Sequence, residues 1–160
     1  MTKARPVLWV VLTVACAAAA GCRTWSLGGT QTRRDVYLNL MTPLEQSKYR
    51  YMEAKNKPLS LRLAYLQEIG VYQTWAEVPK DKQDAILRRE VREGMTPEQV
   101  QMAWGSPVEK RDVTLPAERA AGHSRVVWEY EIRSGGIGGS QYERSVSFYD
   151  DRVLWVRDSR

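Results

Sequence analysis

The chain has 160 residues, with 24 Lys and Arg against 19 Asp and Glu, a net charge of +5, one His and two Cys. That length suits one ordinary domain, or a small domain with an extension, and one His with two Cys is too poor a ligand set for a zinc site. The positive surplus is small and mixed in sign along the chain, so it is no nucleic-acid footprint.

Lys3 and Arg5 form a positive n-region, followed by an apolar run from Val7 to Ala20 broken only by Thr13. The run falls short of the roughly 20 residues that a membrane span needs. It ends in Ala19-Ala20-Gly21-Cys22, small residues before a cleavage point, as in a secretory signal. The Cys directly after them resembles a bacterial lipobox. Residues 1–21 are therefore read as a lipoprotein signal peptide and Cys22 as the lipidated first residue of the mature chain; an ordinary signal peptide with an incidental Cys is the alternative. Two or three acyl chains, at about 0.8 kcal/mol per buried methylene, anchor a protein essentially permanently. The mature part keeps no other Cys, so no disulfide framework is available. Without Lys3 and Arg5 it carries 22 basic against 19 acidic residues, a charge of +3. Arg23 rather than Asp follows the Cys, which in enterobacterial-type sorting implies the outer membrane, facing the periplasm.

Residues 22–34 are polar, with paired glycines and no period, and read as a flexible tether. From 35 to 90 the pattern is helical. Thr42-Pro43-Leu44-Glu45 carries an N-cap, a proline at the first helical position and a reciprocal acidic residue, which predicts a helix from Pro43 to about Lys55. A second helix is expected from near Ser60, with Gly70 as its stop, and a third from Pro79, with Ala85, Ile86, Leu87 and Val91 as its apolar stripe. Tyr49, Tyr51, Tyr65, Tyr72 and Trp75 are placed in the core rather than in a ligand box.

Gly94-Met95-Thr96-Pro97-Glu98-Gln99-Val100 opens a fully punctuated helix. Thr96 is the N-cap, Pro97 takes the first helical position and Gln99 completes a capping box; Met95 and Val100 are spaced for a hydrophobic staple. Gly105 is expected as a left-handed stop, with Pro107 beyond it. The period then changes to that of strands. Val108–Leu115 reads as a strand, Pro116–Ser124 as a polar loop holding His123, and Val126, Trp128, Tyr130 and Ile132 as the apolar side of a half-buried strand. A glycine-rich break from 134 to 140 leads to a strand over Tyr142–Tyr149, a turn at Asp150-Asp151 and a last strand over Val153–Arg157 carrying Trp155. The expected fold class is α+β: N-terminal helices packed on a three- to four-stranded antiparallel meander, with a further helical extension before them.

The order of Gly-Met-Thr-Pro-Glu-Gln-Val, Trp-Gly-Ser-Pro, the Trp128-Glu129-Tyr130 strand and the hairpin at Phe148–Val153 resembles the BamE/SmpA–OmlA lipoprotein family. The matching residues are Gly94, Met95, Thr96, Val100, Gly105, Pro107, Trp128, Tyr130, Phe148, Asp150 and Val153, within about 91–156. The sequence departs from the pattern at Trp104, where Leu is usual, and at Asp151, where the hairpin Gly is expected. The resemblance implies a BamE-like α+β domain over 91–158, reached from a helical extension over 35–90. It also implies an outer-membrane lipoprotein that binds a β-barrel assembly machine or otherwise scaffolds the cell envelope. The matched positions make the fold, and no partner-contact residue is carried over.

No catalytic constellation stands out. His123 lies alone in its loop, Asp150-Asp151 at a hairpin are turn formers before they are cation ligands, and Gly135–Gly139 lacks the Lys-Ser/Thr of a phosphate loop. The expected protein has no catalytic residue, metal, cofactor, nucleic acid or small-molecule substrate. Its expected partners are the membrane, through Cys22, and envelope proteins. The alternative function is an inhibitor or modulator of a periplasmic enzyme, working through aromatics that face outward from the sheet.

Overall fold

The computed structural model describes residues 25–26, 30–133 and 141–159; Cys22, the signal peptide and the Gly135–Gly139 run lie outside them. Trp25–Ser26 form a short strand, β1. Five helices follow: α1 (Arg33–Leu40), α2 (Pro43–Ala54), α3 (Leu59–Glu68), α4 (Val71–Ala76) and α5 (Lys80–Leu87). Then come β2 (Glu90–Val91), α6 (Pro97–Trp104), β3 (Glu109–Asp112), the short α7 (Pro116–Ala120), β4 (Arg125–Arg133), β5 (Gln141–Tyr149) and β6 (Arg152–Ser159). The expected α+β class is observed, with β3-β4-β5-β6 forming one antiparallel meander and β1-β2 a separate pair. Among the described residues no helix is long and apolar enough to cross a membrane.

Three helices begin with the same device. Thr32 with Asp35, Thr42 with Glu45 and Thr96 with Gln99 each form a reciprocal capping box, which satisfies amide groups that the first turn leaves unpaired. At α6 the Thr96 N–H donates to Gln99 Oε1 at 3.1 Å, and the Gln99 N–H donates to Thr96 Oγ1 at 3.3 Å. Glutamines bind carbonyls at the end of α1 and just beyond α4: Gln46 Nε2 donates to the Leu38 carbonyl, and Gln83 Nε2 to that of Val78, each at 2.9 Å.

Helix α6 is the hub. Val100, Met102 and Ala103 are buried, α1 and α5 pack against α6 on the helical side, and Trp104 reaches the sheet. One hydrophobic core runs from Val36 through Ile86, Met95 and Val100 to Trp128, Phe148 and Val153. The expected helical extension therefore shares its core with the strand half. Alternation puts Val126, Trp128, Tyr130, Val146 and Phe148 on the inner face, with Trp128 opposite Val146 and Val126 opposite Phe148. A bulge at Ser147/Phe148 shifts β6, pairing Ser147 with Trp155 and Phe148 with Val153, so Leu154 is the extra residue. The start of β6 is tied to the segment before α6. Gly94 N–H donates to the Val153 carbonyl at 2.9 Å, and Val153 N–H to the Met95 carbonyl at 2.8 Å.

Several expectations need correction. Tyr49, Tyr65 and Trp75 are core residues, but Tyr51 is 60% and Tyr72 37% exposed. Gly105 ends α6 at φ 83°, ψ −164°, a region open essentially to glycine alone, not the left-handed helical one. The Pro116–Ser124 loop contains α7, started by the Leu115 N–H donating to the Glu118 carboxylate at 3.0 Å. The segment 22–34 is not free along its length: Trp25 pairs with Val91, Ser26 pairs with Glu90, and α1 already starts at Arg33.

Candidate binding groove

Helix α6 is eight residues long and lies over the inner sheet face, where Trp104 meets Tyr130. Towards β3 it leaves a groove of about 310 Å³, lined by Pro97, Glu98 and Gln101 of α6, by Lys110, Val126, Trp128 and Phe148 of the sheet, and by Asp151 at the hairpin. Trp128 and Phe148 pack at 4.8 Å between ring centroids, tilted by 58°, and form the floor. Lys110 is carried beside Trp128 by the β3–β4 register, and its ammonium lies 4.2 Å from the ring centroid, within cation–π range. The groove thus combines an aromatic floor with two acidic side chains and one basic side chain. Such a lining suits an extended peptide or an amphipathic side chain; it holds no nucleophile–base pair.

His123 and Asp150, far apart in sequence, meet at the hairpin end of the sheet. His123 Nδ1 is 2.7 Å from Asp150 Oδ2, and the Ser124 N–H donates to Asp150 Oδ1 at 2.9 Å. That backbone donor first, and His123 second, hold the Asp150 carboxyl below the usual carboxylate range. The His123 ring stacks on Tyr149 at 5.2 Å. Both members of the pair are more than two-fifths exposed. The arrangement fastens the loop after α7 to the β5–β6 turn. Asp150 and Asp151 form that turn at φ 46° and 58°, the left-handed region in which Asp is tolerated better than most residues. The hairpin survives without its Gly.

Trp104, one of the two positions at which the sequence departs from the pattern it resembles, is accommodated by three partners. Its Nε1–H donates to the Arg89 carbonyl at 2.9 Å, its ring meets Tyr130 edge-on at 5.3 Å, and the Arg144 guanidinium lies 5.2 Å from it. Burial pushes the Tyr130 hydroxyl far above its ordinary value. Of the aromatics considered for an outward surface, Trp128, Tyr130 and Phe148 are buried on the inner face, and Trp155, 39% exposed, is on the other.

Lys110, Glu98 and Gln101 were not singled out from the sequence. Lys110 meets Trp128 only through a strand register that no local pattern specifies, and Glu98 and Gln101 read as ordinary helix surface. Among the described residues no group of three or more His, Cys, Asp or Glu is placed to hold a metal ion. No family model, no characterised protein and no solved structure matches the chain.

Proposed function

We propose that the chain is a non-catalytic, lipid-anchored protein that faces the periplasm from the outer membrane and binds or scaffolds cell-envelope components. The process suggested by the BamE/SmpA–OmlA resemblance is outer-membrane protein assembly. Signal architecture supports the anchor at Cys22. The observation that carries the binding role is the groove itself, in which Glu98, Lys110 and Asp151 gather over the nearly buried Trp128 and Phe148. The resemblance gains support from where its residues fall: Met95, Val100, Trp128, Tyr130, Phe148 and Val153 belong to one core, and Gly94 and Gly105 sit at positive φ.

The test is cross-linking from intact membranes, followed by purification under denaturing conditions. The native chain is expected to recover an envelope protein above background, and Glu98→Lys combined with Lys110→Glu to lose that partner while keeping its fold. Recovery of no envelope protein, where a known lipoprotein recovers its own, would count against the proposal. The second reading, an inhibitor or modulator of a periplasmic enzyme, retains one surface aromatic of the four considered, Trp155, beside the exposed Leu154. A partner lost in Trp155→Ser but kept in the groove variant would favour it.

A further inference from the structure

A lipidated Cys22 followed by a free tether to residue 34 would let the body wander. Twelve flexible residues have a root-mean-square span of about 20 Å and reach about 40 Å when extended. The folded chain removes most of that freedom. β1 pairs antiparallel with β2, Trp25 opposite Val91 and Ser26 opposite Glu90. Gln31 is a second tie: it is 6% exposed, its N–H donates to the Leu87 carbonyl at 2.8 Å, and its Nε2 donates to the Ile86 and Met102 carbonyls at 2.7 and 3.0 Å. Only three residue steps separate Cys22 from Trp25, and three residues span at most about 11 Å.

We infer that the folded body is held on a short leash with one fixed side to the bilayer, the side built by β1, β2 and the start of α1. This rests on the proposed lipidation of Cys22. The charge of that side suits a bilayer surface with anionic headgroups. The segments 33–35 and 88–93 carry Arg33, Arg34, Arg88, Arg89 and Arg92 against Asp35, Glu90 and Glu93, a surplus of two positive charges, which Glu53, bonded to Arg34, reduces to one. Glu90 is occupied between Arg88 and Arg92, at 2.9 and 2.7 Å. A short leash also limits what the groove can meet: a partner must come to the membrane surface, since the body cannot reach out to it.

The test uses the full chain, processed in a bacterial host and reconstituted in vesicles, with Glu93→Cys carrying a fluorophore and nitroxide-labelled headgroups as quenchers. Glu93 is exposed and two residues beyond β2. Twelve Gly/Ser residues are inserted either between Cys22 and Trp25 or between Ser26 and Thr30. The inference expects the first insertion to lower the quenching at least twofold. The second, which leaves β1 on β2, should leave it unchanged. Equal loss from both insertions, or no quenching of the uninserted chain, overturns the leash while leaving the anchor intact. A chain that fails to float with the vesicles overturns the anchor, and the leash with it.

Discussion

Trp104 and Tyr130 meet at 87° with 5.3 Å between ring centroids, and this contact seats the hub helix on the sheet. Tyr130 also donates its hydroxyl to the Gly105 carbonyl at 3.4 Å, so the end of α6 is held by both edge and tip of the same ring. Trp104→Leu removes the edge-to-face contact and leaves the Arg89 carbonyl without its indole donor. A loss of about 2 kcal/mol is expected, read as a lower midpoint in chemical denaturation at unchanged slope. A Leu variant as stable as the native chain would mean that the layers are held elsewhere.

Thr96→Ala removes the cap of the same helix. The cost expected is about 1 kcal/mol, and Thr96→Ser should recover most of it. Since the role is structural, partner recovery should follow stability in both variants. A Thr96→Ala chain of normal stability that has lost its partner would contradict that role.

Asp151→Gly should stabilise. Asp151 sits at φ 58° in a two-residue hairpin turn, where a side chain costs energy that glycine avoids. A gain of about 0.5–1 kcal/mol is expected in thermal or chemical denaturation, partly offset by the greater freedom of the unfolded chain. Asp150→Gly at the neighbouring position should not gain as much, because it also releases the Ser124 N–H and His123.

Glu90 predicts the pH response of the β1–β2 region. Its carboxyl is held below the usual carboxylate range, first by Arg88 and then by Arg92. A lowered folded value means that the unfolded chain takes up the proton first on acidification. The stabilisation is therefore complete above the ordinary carboxylate range and lost as pH falls through the lowered value. Glu90→Gln should cost about 1 kcal/mol at neutral pH, and the gap between variant and native chain should close below about pH 4. A gap that stays constant into acid would mean that the carboxylate charge contributes nothing there.

Local chemistry made most of the elements legible. Thr42-Pro43-x-Glu45 and Thr96-Pro97-x-Gln99 announce their helices because cap, proline and reciprocal partner are adjacent in sequence, and the alternation at Val126–Ile132 declares its strand. The start of α1 was missed because Thr32-x-x-Asp35 does the same work with Asp at the third position and no proline. The anchoring of Gln31 was invisible for a different reason: its acceptors, the Ile86 and Met102 carbonyls, are 55 and 71 residues away. The groove shared that fate. Trp128 was legible as an inward residue, but its neighbour Lys110 was not, because strand register depends on the whole sheet.

The anchor is the premise on which envelope location, membrane-side orientation and choice of partners all depend. Intact mass of the membrane-extracted protein, with fragmentation of its N-terminal peptide, tests it most directly. The mature chain should begin at Cys22, with a diacylglyceryl thioether on its sulfur and an acyl group on its amine. An unacylated terminus at any other residue would contradict the account.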